Sequence, residues 1–254
     1  MKALYKKPSL TYFLITVCII VFFLEILYGL QSGSFGDENF KNALETLFNE
    51  YGFSFQNLIS GKYWTLLTSI FIHADPEHLI LNMLALFFFG RVVEMSLGRK
   101  KFLFIFITSA IVGNLAFLIS SFFIGSLGTS VVGASAAIFG IMGTAMIVKP
   151  LEFVFYPYLI PVPLILVAVL YTLSTIGSFL LVAANLEESN ISYIAHIGGL
   201  ASGMFFGFRE EKNKRGFIIL LLLIIILILT PFIWVILQYL EGFNYITALS
   251  KFFK

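Results

Sequence analysis

A serine at position 135 stands among small residues in the octapeptide GASAAIFG, Gly133 to Gly140. A hydroxyl in that setting can bond back to its own helix, or, with a base in reach, it can act as a nucleophile. His78 lies four residues before Asn82 in HLILN, so the two project from one helical face a turn apart. Such a pair can hydrogen-bond between helices or supply donors to a developing oxyanion. His196 stands in AHIGGLASG, where Gly199, Leu200 and Gly203 share its face and leave it nearly bare. Packed helices keep their axes about 8–10 Å apart, whereas proton transfer needs the serine oxygen and imidazole nitrogen about 3 Å apart. Glycines beneath His196, met by Ala136, Gly140 and Gly143 beside Ser135, let two helices close that gap. No acidic residue of the same first turns is placed to orient His196, so the pattern reads as a Ser/His dyad and not a triad. A serine in the first turn of a helix also adds its own unpaired backbone N–H to the oxyanion donors.

The rest of the chemistry is sparse. His73, in FIHADPEH, reads as a solvated or hydrogen-bonded loop histidine outside the dyad. Three histidines can suggest zinc, but the serine accounts for His78 and His196. The expectation is no metal and no cofactor. The single cysteine, Cys18, permits neither a disulfide framework nor a cysteine metal site.

These side chains need elements to hold them. With 59% hydrophobic and 12% charged residues, this is the composition of a membrane protein. Against the roughly 20 residues that a spanning helix requires, apolar runs recur at Leu10–Leu30, His78–Met95, Phe102–Ile124, Val131–Val148, Val162–Ala184, Tyr193–Phe208 and Phe217–Leu240. The fourth and sixth are short and contain glycine, which places their ends in a water-filled dip in the protein. The first follows Lys2, Lys6 and Lys7 like a signal peptide, but its length, its Glu25 and the lack of a small-residue cleavage site mark a spanning helix. Pro231 kinks the last run, which reads as a lipid-facing anchor. A net charge of +2 is too small for a nucleic-acid surface.

With the N terminus inside, twelve of the 16 lysines and arginines fall in cytoplasmic segments, as short membrane loops favour. The C terminus is then outside, and the second, fourth and sixth helices descend from the outer face. Their first turns, which carry His78, Ser135 and His196, share one depth and open outward. A transporter with a midplane site predicts inverted repeats, and the sequence has none.

Three blocks, WTLLTSIFIHADPEHLILNMLALFFFGRVVEMSLG (Trp64 to Gly98), GASAAIFG and AHIGGLASG, resemble in order the signature blocks of the rhomboid family of intramembrane serine proteases. The likeness spans roughly residues 61 to 208. It implies an all-α polytopic protein with seven transmembrane helices: a rhomboid-like six-helix bundle over about 8–210, and one further helix over about 217–240, all in a single membrane domain, 1–254. It implies Ser135 as nucleophile, His196 as base, and His78, Asn82 and the Ser135 backbone as oxyanion donors, with Gly133, Phe139, Gly199 and Gly203 in support. Glu94 falls at the family's structural glutamate. The loop Gln31–Ala74, with its apolar Ala43, Leu44 and Leu47, lies partly sunk in the outer interface, Leu186–Ser192 forms a lid, and the fifth helix gates substrate. Partners are then transmembrane protein substrates and the bilayer of a cell membrane. A catalytically inactive rhomboid-like adaptor or quality-control protein is the alternative. The chain departs from the family pattern with Ala136 after the serine, Thr65 after Trp64, and Phe139 in place of a frequent tyrosine.

Overall fold

A computed structural model describes residues 9–124, 129–156, 160–183 and 193–210. The chain divides into two units, and all described residues fall in the first, Met1–Lys212. The expected lid, 186–192, and the last apolar run, 217–240, lie outside the described residues.

Helix α1, Ser9–Ser32, is apolar almost throughout. After it the chain turns at Asp37, whose carboxylate accepts from the Ser34 and Phe40 amides at 2.7 Å each and caps α2, Glu38–Tyr51. In α2, Phe40, Ala43, Leu44, Leu47 and Phe48 recur at helical spacing on one buried or half-buried face, opposite the exposed Lys41, Glu45 and Asn49. That is the form of a helix lying along an interface. Two short helices, α3 (Phe55–Ile59) and α4 (Thr65–Thr68), follow.

The second long run is one span, Pro76–Leu97, built of α5 (Pro76–Ala85), a π-helical turn (Leu86–Gly90) and α6 (Arg91–Leu97). Its start is fixed by chemistry: the Asp75 side chain accepts from the His78 amide at 2.7 Å, and Pro76 takes the first turn, where no N–H is missed. At its far end Gly98, with φ +84°, turns the chain into α7, Arg99–Ile124. Only glycine adopts that angle without strain.

Helix α8, Ser135–Val148, is the centre of the bundle. Every residue from Ala136 through Ile147 is buried, and the helix packs mainly on α10, Tyr193–Glu210, and on α7. Around it Leu86, Phe89, Val93, Phe102, Phe106, Ala137 and Ile141 form one apolar core.

Between α8 and α9 (Leu164–Ala183) the chain makes an antiparallel ribbon, β1 (Phe153–Tyr156) with β2 (Ile160–Pro163), pairing Phe153 with Pro163 and Tyr156 with Ile160. Among the described residues the protein is helical apart from this ribbon and an isolated bridge. The fold is all-α in class and the ribbon is a local addition, because a short run of β-branched and aromatic residues beside prolines pairs more readily than it coils into a helix.

Three described helices are long and apolar enough to cross a membrane: Ser9–Ser32, Pro76–Leu97 and Arg99–Ser121. With the family set out below, they make this a multi-pass membrane protein. Helix α8, at 14 residues, is about 21 Å long by rise per residue, against a hydrocarbon core of about 30 Å. It cannot reach both faces.

Candidate active site

Ser135 is the first residue of α8, and His196 lies in the first turn of α10. The imidazole Nε2 and the Ser135 Oγ are 2.8 Å apart, within hydrogen-bond reach. Three features of the sequence allow that distance. A methyl at Gly199 would collide with the Ala136 carbonyl, and one at Gly203 with the Gly140 carbonyl, so α10 rests directly on the backbone of α8. Thr144 fastens the pair lower down, its hydroxyl donating to the Gly203 carbonyl at 2.8 Å. Ser109 of α7 packs into the space left by Gly140 and donates to the Ser202 hydroxyl at 3.2 Å.

Phe139 lies one turn below Ser135 with its ring stacked on His196, centroids 4.5 Å apart and planes inclined by 10°. That stack holds the ring flat against α8. The imidazole Nδ1 is buried and has no hydrogen-bond partner, so among the described residues no carboxylate orients it.

Gly133 closes the other side. A Cβ built on it would stand 2.6 Å from Cε1 and 2.7 Å from Nε2 of His78, and 3.7 Å from Asn82 Nδ2. Its φ of +117° also excludes ordinary side chains. The His78 ring and the Asn82 amide therefore converge on the segment that leads into Ser135. Asn82 is buried and its Nδ2 has no partner among the described residues. An orphaned buried donor is costly. Here it lies 3.7 Å from the place a Cβ on Gly133 would take, two residues before Ser135.

Two residues that sequence reasoning passed over hold this segment. The Gly133 amide donates to the Ser69 carbonyl at 2.8 Å, and Asn114 of α7 donates to the Ser69 hydroxyl at 3.3 Å and to the Leu66 carbonyl at 3.4 Å. A bridge between Phe53 and Val131 ties in the segment between α2 and α3. Asn114 is an amide inside an apolar run, and that signal alone could have marked it.

The remaining candidates fall as follows. Glu94 is buried and accepts from the Leu10 amide at 3.0 Å and from the Thr11 amide and hydroxyl at 2.7 Å each, so it caps α1 from α6. Arg99 lies 3.5 Å from the same carboxylate. Thr65, where the family pattern has arginine, is fully buried and donates to the Lys62 carbonyl at 2.7 Å. The Ala136 methyl lodges against Gly113 of α7, where an added Cβ would meet it at 2.6 Å. Of the two expectations for His73, solvated or hydrogen-bonded, the structure has the second: the ring is fully buried, with Nδ1 at 3.1 Å from the Phe71 carbonyl. Burial, with the neighbouring His78 adding to it, pushes its imidazole down to about 4, so it stays neutral near pH 7. Among the described residues no group of histidines, cysteines and carboxylates could hold a metal ion.

A helical membrane fold with a serine and a histidine meeting at the head of a short central helix defines a class of protein before any comparison. The model of the Rhomboid domain matches residues 60–213. This chain belongs to the rhomboid family. It is 32% identical over 206 residues to the rhomboid protease GluP of Bacillus subtilis, covering 78% of this chain and 34% of that protein. It is 29% identical over 181 residues to the mitochondrial RHOMBOID-like protein 12 of Arabidopsis thaliana, covering 66% of this chain and 52% of the relative. Rhomboid-like protease 1 of Toxoplasma gondii is 28% identical over 175 residues, 65% of this chain and 54% of its own length. The chain thus spans about a third to a half of the length of these relatives.

Proposed function

We propose that this chain is an intramembrane serine endopeptidase that hydrolyses peptide bonds in or near the transmembrane helices of protein substrates. The observation that carries the reading is the 2.8 Å approach of His196 Nε2 to Ser135 Oγ at the head of a helix too short to span lipid. Ser135 Oγ attacks the scissile carbonyl while Nε2 of the neutral imidazole takes its proton. The carbonyl electrons move onto oxygen, where the Ser135 backbone N–H, His78 and Asn82 stabilise the charge. Collapse expels the amine, which takes the proton from His196, and a water attacking the resulting ester regenerates the serine. The base works without an acidic partner, its orientation set by the Phe139 stack. No metal or cofactor enters this scheme.

In the bilayer we place the N terminus in the cytoplasm and the active site open to the outer face. Helix α9 is the substrate gate. Water then reaches Ser135 from the outer face, down to the sunken head of α8. A substrate helix has its amides bonded within itself and must unwind before attack, so segments with small or helix-breaking residues are the preferred substrates.

The rival reading, a catalytically inactive rhomboid-like adaptor, requires no close approach of serine to imidazole and no orphaned Asn82 donor. The test pairs wild type and Ser135→Ala in detergent with a single-pass transmembrane substrate and a fluorophosphonate probe. Wild type is expected to cleave and to label at Ser135, and the variant to do neither. Equal cleavage by both removes the nucleophile, and labelling by neither favours the adaptor.

A further inference from the structure

The proposed mechanism leaves one buried ionisable cluster unused. Glu25 sits in the middle of the apolar α1 stretch FFLEILYG with 2% of its surface exposed, an expensive place for a carboxylate. Its Oε2 accepts from the backbone amide of His73 at 3.4 Å. His73 belongs to the irregular turn between α4 and α5, where no helix or sheet ladder is available to that amide. The His73 ring, fully buried, meets the ring of His78 edge-on, centroids 5.3 Å apart and planes inclined by 61°. Beneath them Cys18 of α1 packs with Leu79 and Met83 of α5, so α1 and α5 meet through apolar groups at this level.

We propose that Glu25 is a positioning residue for the oxyanion-side imidazole of His78, acting through the turn that carries His73. This inference rests on the protease reading above. The chain of contact is continuous: Glu25 holds the His73 backbone, the His73 ring meets the His78 ring edge-on, and Cε1 and Nε2 of His78 lie against Gly133, two residues before Ser135. His78 has its own backbone held by Asp75, but the only described group edge-on to its ring is His73. A carboxylate kept solely to staple a loop would be expected to satisfy all of its buried atoms, whereas Glu25 Oε1 and His73 Nε2 both stay without a partner among the described residues. Cost retained in a cluster that touches the site is the mark of a functional constraint.

The experiment is a double-mutant cycle on the full chain in detergent, with kcat and KM measured on a transmembrane substrate for wild type, Glu25→Leu, His78→Ala and the double variant. Loss of an oxyanion donor lowers kcat by about 100-fold or more, and a mispositioned donor by about tenfold or more. Glu25→Leu is therefore expected to lower kcat at least tenfold with KM within about twofold of wild type. Glu25→Gln, whose amide oxygen still accepts from His73, is expected to recover most of the rate. With His78 already Ala, the Glu25→Leu change should lower kcat no further, because the group it positions is gone. Multiplicative losses in the double variant, or wild-type kcat in Glu25→Leu, overturn the inference. Should Glu25→Leu fail to fold, Glu25→Asp retracts the acceptor while keeping the charge, and the same outcomes decide. An inert wild type removes the protease and this inference together, whereas an active wild type with multiplicative losses removes only the inference.

Discussion

Gly199 carries more of the proposed chemistry than its absence of a side chain suggests. Serine is short, and its oxygen reaches an imidazole on another helix only if the two backbones nearly touch. The Ala136 carbonyl occupies the place where a Gly199 Cβ would go. Gly199→Val is expected to force α10 off α8 by about 1 Å and to lower cleavage and fluorophosphonate labelling by about 100-fold. The added bulk costs about 1–3 kcal/mol of stability. Parallel thermal unfolding and labelling measure the two effects, and unchanged labelling would show that the approach does not depend on the glycine. Serine, histidine and asparagine were legible as candidates because polar groups are costly in apolar helices. The Ala136 methyl was legible as one of the small residues beside Ser135 and as a departure from pattern. Its accommodation needed position 113, far away in sequence, to be glycine.

At the scale of elements, the span Pro76–Leu97 does two jobs separated by its π-helical turn, a feature that recurs near functional sites. Its first half presents His78 and Asn82 towards Gly133, and its second half carries Glu94 to the open end of α1. The first amides of a helix have no partner within it, and the positive end of the helix dipole favours a carboxylate there. Glu94→Ala is expected to cost about 3 kcal/mol or more, since it strands buried amides at Leu10 and Thr11, and to lower the thermal midpoint in detergent. Glu94→Gln should lose less, because one acceptor remains. A midpoint unchanged in Glu94→Ala would mean that α1 is held by its apolar contacts alone. The apolar runs were legible from hydropathy. The ribbon at 153–163 was not, because a short paired segment between two apolar helices reads as part of their grease.

For the whole molecule, the short α8 sets the architecture. About 9 Å of hydrocarbon thickness is left unspanned by its length, and other helices must enclose that gap if water is to meet a peptide bond below the membrane surface. Every residue of the candidate site lies within Met1–Lys212. A chain stopped after Lys212 is therefore expected to keep fluorophosphonate labelling at Ser135, within about threefold of the full chain, if the oxyanion donors and the dyad suffice. Complete loss of labelling from a folded, detergent-soluble truncation would show that residues 213–254 contribute to the site.

From its order of residues alone this chain determined that it is a membrane protein, where its apolar runs lie, and which polar residues are too costly to be there by chance. Hydrophobic length and polar cost are local properties, readable one segment at a time. The tertiary structure decided that Nε2 and Oγ meet at 2.8 Å, that His73 is enclosed rather than wet, and that Ser69 and Asn114 hold the segment carrying Gly133. Each of these depends on which faces meet between segments far apart in the chain. Packing settles that geometry, and no single segment records it.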